Sequence, residues 1–176
     1  ITGGTVSNNE AGAEGGGLWN GSGTMTINGT VIANNTASGA GADQGGGGIY
    51  NLSGTVDINA DTVITGNHAD GAAGSGGGIL NDVNGTITID DAEITLNTAI
   101  RAGGGIEDNG GANGSITLNN VEITLNNGGT APGNGGGIHI TGMGNVTVTG
   151  GLVSGNTAVQ GGGLWNGTGT MTVNRV

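Results

Sequence analysis

The chain has 176 residues, of which 45 are glycine, one is proline and none is cysteine, and its formal net charge is −11 at pH 7. Disulfides are excluded, and so is a collagen triple helix, because glycine keeps no three-residue period. Arg101 and Arg175 are the only strong cations, so no basic surface exists on which nucleic-acid phosphates could release counterions; no apolar run is long enough to span a bilayer, and the first residues lack the layout of a signal peptide.

Low aromatic content and high net charge also mark disordered chains, but here Ile, Val and Leu recur at regular intervals, which predicts a folded repeat. The opening segment ITGGTVSNN (1–9) carries an aliphatic residue with asparagine three positions later, Val6 and Asn9. Next comes GGGLWN (15–20), in which three glycines lead into Leu18, and then the alternating run TMTI (24–27). Period-two alternation predicts a strand with one face inward. The pair Ile32 and Asn35 repeats the aliphatic-asparagine motif.

The same elements return down the chain. The aliphatic residue after the glycines is Ile49, Ile79, Ile106, Ile138 and finally Leu164, at spacings of 31, 30, 27, 32 and 26 counted from Leu18. The strands are TVDI, TITI, SITL, NVTV and TMTV, and the pairs are Ile64/Asn67, Ile94/Asn97, Ile123/Asn126 and Val153/Asn156. From each glycine-flanked aliphatic to its asparagine the count is 17, 18, 18, 20 and 18, whereas from asparagine to the next aliphatic it is 9, 14, 12, 9, 12 and 8. Length variation is therefore expected mainly at one corner.

Three short strands per unit, joined by Asn- and Gly-rich bends, predict an all-β fold: a parallel β-solenoid of about six coils of about 29 residues. Stacked coils share an interior that no single coil can bury. Four apolar columns are expected, one headed by Leu18, one by Met25, one by Ile27 and one by Val6. The column Asn9, Asn35, Asn67, Asn97, Asn126 and Asn156 is expected to form a structural amide ladder, since an amide can donate to one copy of itself and accept from another. Trp19, Tyr50, Leu80, Glu107, His139 and Trp165 are expected to form an outward-facing column, and His68 and His139 to lie on the surface.

GGGI and the IxxN or VxxN pairs resemble the GGAI and FxxN repeats of the polymorphic outer-membrane protein family, with aliphatics in place of its phenylalanine. Residues 46–69, GGGIYNLSGTVDINADTVITGNHA, resemble still more closely the repeats of large secreted or surface-anchored bacterial β-helix proteins. The resemblance covers the whole chain. It implies a right-handed parallel β-helix and a place among stalks, adhesins and passenger domains.

Sugar-cleaving enzymes also use β-helices, and a hydrolase needs convergent carboxylates. Asp57, Asp61, Asp90, Asp91 and Glu93 supply candidates, followed by Glu107 and Asp108, but Arg101 stands alone as a basic partner, and solvated surface acids are the simpler expectation. No catalytic residue and no cofactor is assigned. Ca²⁺ between the equivalent Glu93 and Glu122 is the one candidate ligand, against the simpler expectation that the two side chains splay apart. Outward Thr24/Thr26, Thr86/Thr88, Ser115/Thr117 and Thr170/Thr172 resemble the flat threonine arrays of ice-binding solenoids, interrupted by Asp57 and Asn145.

The first and last units are near duplicates, GGGLWNGSGTMTIN (15–28) and GGGLWNGTGTMTVN (161–174), and Ile1 aligns with Val148 and Val173. Residues 1–176 are therefore expected to form a single solenoid without a polar cap at either end. The expected partner is the chain itself, stacked head-to-tail through Val6, Trp19, Trp165 and Met171. The expected role is an extracellular or cell-surface structural rod, either a filament subunit or part of a longer stalk, with an adhesin segment, an ice-binding protein or a polysaccharide lyase as alternatives.

Overall fold

The computed structural model describes residues 1–176 and contains no helix. It is a parallel β-solenoid whose coiling is consistent with a right-handed β-helix, built from three six-stranded sheets and one four-stranded sheet. The glycine sheet consists of Leu18–Asn20, Ile49–Asn51, Ile79–Val83, Ile106–Gly110, Ile138–Ile140 and Leu164–Asn166. The threonine sheet consists of Thr24–Asn28, Thr55–Asn59, Thr86–Asp90, Ser115–Asn119, Asn145–Thr149 and Thr170–Asn174. The asparagine sheet runs through Thr5–Ser7, Val31–Ala33, Val63–Thr65, Glu93–Thr95, Glu122–Thr124 and Leu152–Ser154. The three expected strands per coil are thus present, and a fourth, two-residue strand joins them at Glu10–Ala11, Thr36–Ala37, His68–Ala69 and Thr98–Ala99.

Alternation explains which side chains fill the interior. In the threonine sheet Val56, Ile58, Ile87, Ile89, Ile116, Leu118, Val146 and Val148 point inward and are buried, while the residues between them are partly or fully exposed. The register is the one the repeat dictates. Leu18, Ile49, Ile79, Ile106, Ile138 and Leu164 stand above one another, as do Met25, Val56, Ile87, Ile116, Val146 and Met171. Val6, Ile32, Ile64, Ile94, Ile123 and Val153 form the column of the asparagine sheet. Burying one such side chain contributes roughly 1.5–3 kcal/mol, so the columns dominate the driving force for stacking.

The triple glycine is needed because three different neighbours crowd it. In the second coil Gly46 has φ +63°, where a side chain would also strike the Ile49 carbonyl. A Cβ on Gly47 would stand 2.5 Å from the Gly77 carbonyl of the next coil, and one on Gly48 would stand 3.1 Å from the Nδ2 of Asn67. The third glycine therefore makes room for the asparagine motif of its own coil.

Candidate functional site

Each asparagine of the predicted ladder is placed at a corner, immediately after a residue in the left-handed conformation: Asn8, Asn34, Gly66, Leu96, Leu125 and Gly155 have φ of 56°, 54°, 61°, 58°, 57° and 67°. That bend turns the amide inward. Asn67 Nδ2 donates to Asn97 Oδ1 at 2.9 Å and to the Ile32 carbonyl at 2.9 Å, while its Oδ1 accepts from Asn35 Nδ2 at 2.9 Å and from the Asn35 backbone N–H at 3.0 Å. Every donor and acceptor of the side chain is used. The chain of amides continues without a break from Asn9 through Asn35, Asn67, Asn97 and Asn126 to Asn156, at 2.9–3.0 Å per step.

A second ladder, not anticipated from the sequence, runs along the glycine sheet. Asn20 Nδ2 donates to Asn51 Oδ1 at 2.9 Å, Asn51 to Asn81 at 2.9 Å, and Asn81 to Asp108 Oδ1 at 3.0 Å. There it stops, because Ile140 occupies the next place and Asn166 the last. Asp108 is fully buried and its Oδ2 has no partner. Burial pushes its carboxyl above the ordinary aspartate range; N–H groups of Asn81 and Gly110 oppose that shift, and the charges of Glu107 and Asp82 add to it. The signal was the asparagine two residues after the glycine-flanked aliphatic in GGGLWN and GGGIYN.

The expected outward column is corrected at its centre. Trp19 is 50% exposed, but Tyr50, Leu80, Glu107 and His139 are buried, at 2%, 0%, 1% and 1% exposure. His139 is consequently not a surface histidine, whereas His68 is exposed. Two effects cover the column. Neighbouring rungs shield one another, with the Trp19 and Tyr50 rings stacked at 6.3 Å and the His139 and Trp165 rings at 4.3 Å. The long corner connections also fold back over it: Asp43 Oδ1 accepts from Asn109 Nδ2 at 3.1 Å, and Arg101 Nη1 approaches Glu107 Oε1 at 3.9 Å.

Under that cover lies a compact polar cluster. Glu107 Oε2 is 2.6 Å from His139 Nδ1, and Thr141 donates its hydroxyl to Glu107 Oε1 at 2.6 Å. A carboxylate only accepts, so the imidazole proton lies on Nδ1 and the buried Nε2 is left without a partner. Nearby, Tyr50 donates to Asp82 Oδ2 at 2.8 Å, and burial together with that carboxylate holds the phenol far above its ordinary pKa. These bonds join neighbouring rungs of the glycine sheet, and Asp43 and Arg101 tie the corner connections to the same sheet.

The candidate acidic residues do not converge: Asp57 lies in the threonine sheet beside Thr88, and Asp90 accepts from Asn119 Nδ2 at 2.7 Å. Asp61, Asp91, Glu93 and Glu122 line an open groove of about 410 Å³ together with Asn120, and no basic residue borders it. Glu93 and Glu122 are direct cross-strand partners, as the repeat requires, while Asp91 accepts from Asn120 Nδ2 at 2.7 Å. No group of three or more His, Cys, Asp or Glu side chains is arranged to hold a metal ion. Glu107 and Asp108, by contrast, are interior residues.

Outward positions of the threonine sheet form two straight columns, Thr24, Thr55, Thr86, Ser115, Asn145, Thr170 and Thr26, Asp57, Thr88, Thr117, Thr147, Thr172. The four proposed contact residues lie on the end rungs: Val6 and Trp19 on the first coil, Trp165 and Met171 on the last, with Val6 and Met171 only partly buried against the core. No helix is long and apolar enough to cross a membrane. No family model, curated protein or solved structure matches the chain.

Proposed function

We propose that the chain is a structural rod module displayed outside a cell, part of a stalk or filament. The observation that supports this most is the ladder from Asn9 to Asn156, whose inner amides are fully satisfied by bonds from each rung to the next. A backbone ladder in every sheet adds to it along the same axis. Such a repeat makes length and stiffness by addition of rungs, and the resemblance to surface β-helix repeats agrees with that role. Its candidate acids are scattered over the threonine sheet, the interior and an open groove that no basic residue borders, which favours a scaffold over polysaccharide cleavage. Immunogold labelling of intact source cells tests the reading. Label on extended surface structures is the expected result; label confined to the cell interior overturns it.

A second reading rests on the threonine sheet, where ten of twelve outward positions carry a hydroxyl in two registered columns. A flat array of that kind favours ordered water and an ice-binding face. Thermal hysteresis abolished by Thr88→Lys would establish this second role, and its absence in the wild-type chain would remove it.

A further inference from the structure

One junction between rungs carries chemistry that the others lack. In the column that begins Trp19, Tyr50, Leu80, only the fourth and fifth places set a carboxyl beside an imidazole, Glu107 and His139, and each is 1% exposed. Burying this pair costs more than burying the aromatic and aliphatic residues that fill the column elsewhere, so rod-building alone does not explain it. Thr141 Oγ1 stands 2.6 Å from Glu107 Oε1 and 3.0 Å from His139 Nδ1, and that same nitrogen stands 2.6 Å from Glu107 Oε2. Arg101 Nη1 approaches Oε1 at 3.9 Å. A hydroxyl nucleophile, an acyl group, an imidazole that touches both the attacking and the departing oxygen, and a cation beside the remaining oxygen are thus held together.

We propose that Thr141 and Glu107 condense to an ester, a covalent cross-link between the rungs of Ile138 and Ile106, with His139 relaying the protons. Thr141 Oγ1 bonds to Glu107 Cδ, and the Cδ–Oε2 bond breaks. The Thr141 hydroxyl proton and one proton taken up from solvent, both passed through His139 Nδ1, leave with Oε2 as a single water; nothing is oxidised or reduced. Negative charge collects on Oε1 in the tetrahedral adduct, where Arg101 faces it. Two effects favour condensation over hydrolysis. Groups held in register within one fold react at effective molarities of about 10⁵ M or more, and the Glu107 carboxyl is closed to bulk water. The ester adds to the hydrogen-bonded ladders one junction that cannot slip, and it does not depend on where the rod is displayed.

Intact-mass spectrometry of the purified protein, followed over days, tests the proposal. The expected result is a species one water lighter than the sequence mass, in which peptide mapping joins the segment of Glu107 to that of Thr141 and hydroxylamine separates them again. Thr141→Val keeps the side-chain shape without the nucleophile and should abolish the cross-link, whereas Thr141→Ser should retain it. His139→Gln should slow its formation about a hundredfold, with circular dichroism unchanged, and an unchanged rate would refute the relay. Imide formation at Asp70–Gly71 also removes one water, so a loss that persists in Thr141→Val overturns the proposal. A wild-type mass that stays at the full sequence value overturns it as well. Neither result touches the rod reading, which stands or falls on where the protein is found in the cell.

Discussion

The two amide ladders are built from the same side chain and end differently. The corner ladder keeps asparagine in all six rungs and is continuous; the glycine-sheet ladder has asparagine in three, then Asp108, then Ile140, and is interrupted. An amide both receives and passes on a hydrogen bond, whereas a carboxylate receives only. Asp108 therefore terminates its column, and the isoleucine beyond it costs nothing further. Continuity along a solenoid depends on each rung carrying a group that can do both.

The largest effect is expected from breaking the continuous ladder at its centre. Asn97→Ala strands the backbone N–H and one side-chain N–H of Asn67, removes the side-chain donors to the Ile64 carbonyl and to Asn126 Oδ1, and leaves the latter only the backbone N–H of residue 97; it should cost about 3–5 kcal/mol of unfolding free energy in a denaturant titration. Asn81→Ala in the interrupted ladder should cost less, because the carboxyl it leaves behind can be neutralised by a proton. Equal losses at the two positions would show that continuity adds nothing.

Repairing the interrupted ladder sharpens the same contrast. Ile140→Asn alone removes a fully buried aliphatic and places an amide beside Asp108, which can donate to it only while protonated, so it should destabilise by about 2–4 kcal/mol at neutral pH. Combined with Asp108→Asn, the column can run from Asn20 to Asn166, and part of that loss should return. A double-mutant cycle measures the coupling, expected at about 1–2 kcal/mol in favour of the pair.

Asp108 also predicts a pH dependence of definite sign. Its folded-state pKa is raised, so in the window above the ordinary aspartate value of about 3.9 the native state holds a proton that the unfolded chain has lost. The stability from this group is fully present below that value and is lost as pH rises through the folded pKa. Asp108→Asn should remove that decline and leave the variant more stable than wild type at neutral pH. Thermal melts of both proteins between mildly acidic and neutral pH decide it; parallel curves would mean that the carboxyl titrates normally.

Most of the architecture was legible because period two and the fixed aliphatic-to-asparagine offset leave one stacking register. The columns headed by Leu18 and Met25 and the corner ladder follow from counting alone. The buried fate of Glu107 and His139 was not legible. Alternation says which way a side chain points from its strand, and these do point away from the apolar core, but only three-dimensional folding of the corner connections decides whether water waits there. The second ladder was hidden because its third interior step is Asp108 and its fourth Ile140, so the column breaks before it can be recognised as one.

The smallest expected effect separates the ladders by backbone rather than by side chain. Every asparagine of the corner ladder follows a left-handed residue, while Trp19, Tyr50, Leu80, Glu107, His139 and Trp165, which precede the positions of the glycine-sheet ladder, keep ordinary negative φ. In the corner series the turn is made by asparagine or glycine four times and by leucine twice, at Leu96 and Leu125. Leucine in this region carries strain of about 1–2 kcal/mol from its Cβ. Both leucines are exposed, at 53% and 56%, so little apolar burial offsets that strain. Leu96→Asn should therefore stabilise the solenoid by about 0.5–1 kcal/mol, since asparagine tolerates the conformation and already fills it at Asn8 and Asn34. The same exchange at Leu80, a buried residue with negative φ in the other series, should destabilise. If Leu96→Asn leaves the denaturation midpoint unchanged or lowers it, the ladder is not held against a strained corner, and its hydrogen bonds, not its backbone, set the whole of its stability.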